Sequence, residues 1–248
     1  MTNFLQYLID ALSLGSIYAL TALGIGLLFG ILRLINFAHG DLITVAAYAL
    51  IVPSANVVPQ LFIGTFHPIL LIPLICLIGI VAALLTDVAV FRQLHRCTTP
   101  TLLIASFSVS YLIQNGILAV YGSRPKNVNL WGGLSQQVMI GELRLPLLQI
   151  ITTLVTFALM IALTLFLKKS RYGVQMRAAS EDFKMAKYLG IRGDFVIGIA
   201  FAISGILAAI VGLLYTSQTG TLNYTMGIPL ALFAFVVLLT QSALAQCG

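Results

Sequence analysis

Apolar residues along this chain gather in long blocks instead of alternating with polar ones. The blocks run over 11–32, 42–52, 69–91, 101–121, 145–167, 195–216 and 228–239, with short polar stretches between them. A helix needs about 20 apolar residues to cross the hydrocarbon layer of a bilayer. Five of the seven blocks reach that length unaided. Block 42–52 is short, meets Pro53, and spans only by borrowing residues on either side. Block 228–239 stops short at the polar tail 240–248. The pattern predicts an all-α, polytopic transmembrane helix bundle, with 1–248 as a single domain.

Composition sharpens this reading. Of the 248 residues, 60% are hydrophobic and 8% charged, against about 25% charged in an ordinary soluble domain. So few charges cannot cover a water-exposed surface of this size. The net charge of +6 does not point to nucleic acid, because the basic residues are bunched. Lys168, Lys169, Arg171, Arg177, Lys184, Lys187 and Arg192 are seven of the thirteen, and they share one loop with Glu181, Asp182 and Asp194. Cytoplasmic loops collect Lys and Arg in this way, so 168–194 and the short turn 92–96 are expected inside. The uncharged stretch 53–66 is expected outside, and parity sends 122–144 there as well despite Arg124, Lys126 and Arg144. Met1 then falls outside. No Lys or Arg precedes the first apolar run, which argues for a retained first helix and against a cleaved signal peptide. Cys76, Cys97 and Cys247 have no spacing that suits a disulfide framework or a zinc cluster.

Small residues at four-residue spacing, Gly26 with Gly30 and Gly205 with Ala209 near Gly212, are expected at close helix–helix contacts, since packing drives association in lipid. Two polar interruptions stand out. Asn36-Phe37-Ala38-His39-Gly40-Asp41 splits an otherwise continuous apolar stretch. It is either a helix break at membrane depth, lining a cavity, or a plain cytoplasmic turn. The loop 168–194 contains Ser180 followed by Glu181 and Asp182, which reads as a helix start, and Gly190 as its stop. Phe183, Ala186, Tyr188 and Leu189 give this short helix an apolar face. It suits either the membrane surface or a cytosolic partner.

The run Gly15-Ser16-Ile17-Tyr18-Ala19-Leu20, then Gly24, then Ile35-Asn36-Phe37-Ala38-His39-Gly40, closely resembles the opening of branched-chain amino-acid ABC permeases and their urea and amide relatives. Arg177-Ala178, Glu181 through Ala186, and Leu189-Gly190-Ile191 resemble the cytoplasmic loop of the same family. The likeness runs from about Leu5 to Val237. It implies a permease subunit of the bacterial inner membrane that pairs with a second permease subunit, two cytosolic ATPase subunits and a periplasmic solute-binding protein. It also implies a short coupling helix in 168–194 that seats on the ATPase, with Arg177, Glu181, Asp182, Ala186 and Gly190 as coupling positions. The broader motif of ABC importers reads Glu-Ala-Ala, three residues, then Gly. Here Lys184-Met185-Ala186 replaces the triplet, and only Ala186 and Gly190 keep the spacing. Asn36, His39 and Gly40 become translocation-pathway positions. Relatives continue past 237 with a Gly-rich turn and further helices, whereas this chain reads Leu238 to Gly248 and stops, so a truncated or frameshifted C-terminus is expected.

Ser106, Ser110 and Gln114 recur every four residues and share one helix stripe. They either line the path of a polar solute or form interhelical hydrogen bonds, worth about 0.6 kcal/mol each in lipid. No phosphate-binding Gly-rich loop with Lys is present, so ATP is expected on partner subunits and no cofactor on this chain. His39, His67 and His95 lack metal-ligand spacing. An ion-gradient-driven transporter is the alternative, but it would be expected to bury ionisable relays near midplane. Asp87 lies near Arg92 at a helix end, and Asp10 precedes the first block. An intramembrane enzyme would need paired catalytic groups, and none is apparent in the sequence.

Overall fold

The structure is a computed structural model that describes residues 2–32, 36–54, 56–61, 67–94, 99–130, 137–140 and 143–247. Helix α1 (Thr2–Leu32) leads to the short α2 (Ala38–Tyr48), then to α3 (Pro68–Thr86). A π turn, Asp87–Phe91, carries α3 into the one-turn α4 (Arg92–Leu94). Helix α5 (Thr99–Tyr121) is followed by the strands β1 (Lys126–Asn127), β2 (Gln137–Ile140) and β3 (Leu143–Pro146). Then come α6 (Leu147–Lys169), α7 (Arg171–Glu181), α8 (Phe183–Tyr188), α9 (Gly193–Thr219), β4 (Thr221–Leu222) and α10 (Gly227–Cys247). The stretches 6–31, 70–94, 100–121, 147–169 and 193–219 are long and apolar enough to cross a membrane. They coincide with the five blocks expected to span unaided.

The two short blocks behave differently. Helix α2 takes residues 38–41 from its polar flank but still ends at Tyr48, so its 11 residues rise only about 16 Å. It packs against α3, α5, α9 and α10, and every residue except Val45 is buried. A half-length helix is tolerable in lipid only where protein surrounds its open ends, and that is its position here. Helix α10 is longer than its apolar block. The polar tail joins the helix, yet only 227–240 is apolar.

Helix α9 is the axis of the bundle, in contact with α1, α2, α3, α6, α7 and α8. Gly79 of α3 and Gly205 of α9 face each other so closely that a Cβ on either would strike the other's carbonyl oxygen. Ala83 and Ala209, one turn further along each helix, complete the crossing, with their Cβ atoms 2.8 Å from where a side chain at Gly205 or Gly79 would start. The Gly205–Ala209 pair thus makes the close contact expected of it. Gly26 and Gly30 do not: a Cβ at Gly26 would meet the Leu238 side chain, and one at Gly30 would meet no neighbouring helix within 4 Å among the described residues.

The bundle has two distinct ends. At one, β1 pairs with β4, the Asn127 N–H donates to the Val57 carbonyl, and the Val128 N–H donates to that of Gly220. This unites the loops after α2, α5 and α9. The Lys126 ammonium is fully buried there and donates to the carbonyls of Ser54 (2.7 Å) and Asn56 (2.8 Å). At the other end Arg92 meets Asp194 at 3.7 Å, which brings the turn after α3 beside the start of α9. The grouping of loops expected from charge is therefore the grouping observed. His95 and Cys97 lie outside the described residues.

The loop 168–194 departs from its expected local structure. It holds two helices, α7 and α8, with Asp182 between them. Ser180 does not cap a helix start, because its hydroxyl donates back to the Arg177 carbonyl within α7 (2.6 Å). The caps are Ser170, which accepts from the Tyr172 N–H, and Asp182, which accepts from that of Met185 (3.0 Å). Gly190 does stop α8: it adopts φ +85°, and the Ile191 N–H donates to the Ala186 carbonyl, six residues spanned as in a Schellman turn.

Candidate functional site

Segment 36–41 lies inside the bundle and not in a solvent-facing turn. Asn36, Ala38, His39 and Asp41 are each at most 1% exposed. The helix break falls before Ala38, so His39, Gly40 and Asp41 occupy the first turn of α2. Asn36 starts that turn, its Oδ1 accepting from the Ala38 N–H (3.1 Å).

Successive residues of a helix turn by about 100°, so His39 and Asp41 point to opposite sides of α2. His39 points toward α1 and α9. Its Nδ1 lies 2.9 Å from Ser204 Oγ, and the Ser204 hydroxyl is 3.3 Å from the Gly24 carbonyl, to which it donates. The Ser204 hydroxyl thus lies between the ring and the α1 backbone, and Nε2 is buried with no hydrogen-bond partner. A Cβ at Gly24 would sit 2.6 Å from the ring, so glycine makes the space this histidine fills. Gly40 has the same role toward α10: it and Gly227 approach backbone to backbone, and the Gly227 N–H donates to Thr44 Oγ1 (3.2 Å).

Asp41 faces α5. Its Oδ1 accepts from Gln114 Nε2 at 3.0 Å, and the same amide donates to Ser110 Oγ at 3.0 Å. Oδ2 is buried without a hydrogen bond, and Asp41 has no cationic partner among the described residues. Gln114 and Ser110 line a cavity of about 290 Å³ between α5 and the start of α10, shared with Phe37, Phe107, Tyr111 and Ile228. Phe37 and Phe107 stack with centroids 4.3 Å apart, and Phe235 tilts against Phe37 at 5.6 Å. The result is a small groove with an aromatic wall and a polar edge, open on the side of Tyr111 (71% exposed) and Phe107 (54%) and just under the roughly 300–1,000 Å³ typical of small-molecule pockets.

Of the residues expected along a pathway, Ser110 and Gln114 meet at this cavity and Asn36 lies beside its Phe37. His39 and Gly40 face other helices, and Ser106 is fully buried, its hydroxyl donating to the Leu103 carbonyl of its own helix (2.8 Å). Sequence reasoning passed over Asp41 as a site residue. An isolated carboxylate inside an apolar stretch is the signal that marks it.

The residues expected to couple lie at the Arg92 end. The Arg177 guanidinium donates to the Lys168 carbonyl (3.4 Å), and Glu181 and Asp182 are exposed. Ala186 turns inward at 4% exposure, whereas Tyr188 (86%) and Leu189 (81%) project from the end of α8. A cavity of about 870 Å³ lies next to this segment, lined by Gly190, Arg192 and Asp194 together with Asp87 and Arg92 across from them.

Residues 7–240 match the family described as the branched-chain amino acid transport system / permease component. The chain belongs to that family. Over 246 residues it is 29% identical to the high-affinity branched-chain amino acid transport system permease protein BraD of Pseudomonas aeruginosa, covering 94% of this chain and 77% of that one. It is 32% identical to the corresponding protein LivH of Salmonella typhimurium and 31% to LivH of Escherichia coli, with the same shares covered. No solved structure matches the chain. It is therefore a multi-pass membrane permease subunit, consistent with an ABC importer, and a member of a transport family.

Proposed function

We propose that this subunit imports branched-chain amino acids across the bacterial inner membrane, with ATP bound and hydrolysed on two cytosolic ATPase subunits. A periplasmic protein delivers the solute, and a second permease subunit completes the path. The observation that carries this reading is the compartment between α5 and α10. A branched aliphatic side chain needs an apolar wall, which Phe37 and Phe107 supply, and a zwitterion needs hydrogen-bonding groups, which Ser110 and Gln114 supply. Urea would leave the aromatic wall unused. Asn36, His39 and Gly40 act by starting α2 and holding it against α1, α9 and α10 beside the compartment, and Ser106 lies buried in α5 two turns before Gln114.

Helix α8 is the coupling element. Its tip offers Tyr188 and Leu189, apolar side chains that a cytosolic partner can bury. Arg177, Glu181 and Asp182 precede it as exposed residues of α7 and of the α8 start, while Ala186 and Gly190 fix its packing and its end. The π turn at Asp87–Phe91, across the neighbouring cavity, is the kind of irregularity frequent at functional sites.

Reconstitution in vesicles tests the proposal. Uptake of labelled leucine is expected to require ATP, both ATPases and the binding protein. Uptake driven by a proton or sodium gradient alone overturns it in favour of a secondary transporter.

A further inference from the structure

We propose that Asp41 takes the α-ammonium group of the solute, which makes this carboxylate the residue that selects an amino acid from molecules of similar shape that lack an ammonium group. The inference rests on the α5–α10 cavity being part of the pathway. A carboxylate at membrane depth is costly unless paired or given a task, and Asp41 has half of what it needs. Its partners are neutral, the Gln114 amide on Oδ1 and the Ser110 hydroxyl, and Oδ2, in a residue 1% exposed, has no close hydrogen bond of its own. The ion pair between Arg92 and Asp194 is at the far end of α3. The cation that Asp41 lacks is one that the solute can bring.

Gln114 stands between Asp41 and the cavity. One Nε2 group donates to both Asp41 and Ser110, so it holds the place of a cation that can do the same more strongly. An ammonium has three N–H donors and a full charge. Seated beside Gln114, it reaches Asp41 and Ser110 as acceptors and leaves its third proton for the Gln114 amide oxygen. Charge-assisted hydrogen bonds are about twice as strong as neutral ones, so the exchange favours the solute. The apolar side chain then lies along Phe37 and Phe107. The solute carboxylate is left toward the first turn of α10, whose Ile228 lines the cavity and whose dipole has its positive end there.

The experiment uses the whole complex with Cys76, Cys97 and Cys247 replaced by Ala and a Tyr111→Cys substitution at the cavity wall. The rate of maleimide labelling reports occupancy. Leucine is expected to slow labelling at least fivefold, as is isopentylamine, which keeps the ammonium and side chain but lacks the carboxylate. The α-keto acid 4-methyl-2-oxopentanoate, with the same side chain and no ammonium, is expected to leave the rate unchanged. Asp41→Asn should abolish protection by leucine. If no compound protects, the cavity is not on the path and the functional proposal fails at this site. If the keto acid protects as well as leucine, or if protection survives Asp41→Asn, the cavity holds solute but the role of Asp41 is overturned. If Asp41→Asn does not assemble, the two analogues on the unsubstituted Asp41 still decide, and a silent isopentylamine counts against the proposal.

Discussion

Gly24 and His39 lie fifteen positions apart, and neither side chain alone explains the other. The ring of His39 occupies the volume that a Cβ at Gly24 would need, 2.6 Å from Cε1 and Nε2, while its Nδ1 is tied to Ser204. Gly24→Ala should therefore push the ring off Ser204 and strand a buried donor, at a cost of about 1–3 kcal/mol for overpacking. Gly30→Ala, with nothing within 4 Å, should be neutral or slightly stabilising, since Ala favours a helix over Gly by up to about 1 kcal/mol. Thermal unfolding of the purified subunit in detergent distinguishes them: a lower midpoint is expected for the first variant only. The double variant Gly24→Ala/His39→Ala should recover part of the loss, because the clash and the stranded donor disappear together. Both residues were visible in the sequence as motif positions, but which way His39 points was not. Facing is set by where a helix begins, and the start of α2 at Ala38 turns His39 and Asp41 to opposite sides. The same uncertainty hid Asp41, which the sequence offers with no visible partner because Gln114 is 73 residues away.

Among the elements, the five long helices were legible because length and hydropathy alone decide whether a segment can cross a bilayer. Helix α2 and the loop 168–194 were less so, since both depend on tertiary contacts. In that loop Ser180 and Asp182 are equally good caps by residue type, and the choice of Asp182 follows from α7 continuing through Glu181. Gly190 was legible because a left-handed residue after a short helix is a glycine requirement. Gly190→Val should therefore damage α8 specifically. At φ +85° a side chain with a Cβ costs about 1–2 kcal/mol, and the bond from Ile191 to Ala186 goes with the turn. ATP-driven uptake should fall at least fivefold while the amount of subunit inserted in the membrane stays the same. In the unsubstituted background, a cysteine at Leu189 should crosslink to the ATPase and not to the periplasmic protein. Normal uptake by Gly190→Val removes α8 as the coupling element.

Across the whole molecule the two ends are built for different tasks. One end is closed by backbone: β1 with β4, the bonds from Asn127 and Val128, and a buried ammonium that holds the 54–56 carbonyls. The other end relies on an ion pair whose side chains are 50% and 67% exposed, beside a cavity of about 870 Å³. Exposed pairs contribute about 0–1 kcal/mol, whereas each hydrogen bond to a buried charge contributes about 1.5–3 kcal/mol. A bundle pinned in this way is expected to move at its open end, the end that carries α8, the helix proposed to couple to the ATPase. The asymmetry is measurable. Lys126→Met keeps the length and the apolar stem but strands two buried carbonyls, so it should lower the unfolding midpoint of the purified subunit clearly. Asp194→Asn should leave that midpoint within about a degree, because it removes less than 1 kcal/mol of screened attraction. The reverse order, with Asp194→Asn the more damaging, would mean that the Arg92 end is the pinned one. Motion would then have to enter the bundle through the Lys126 end.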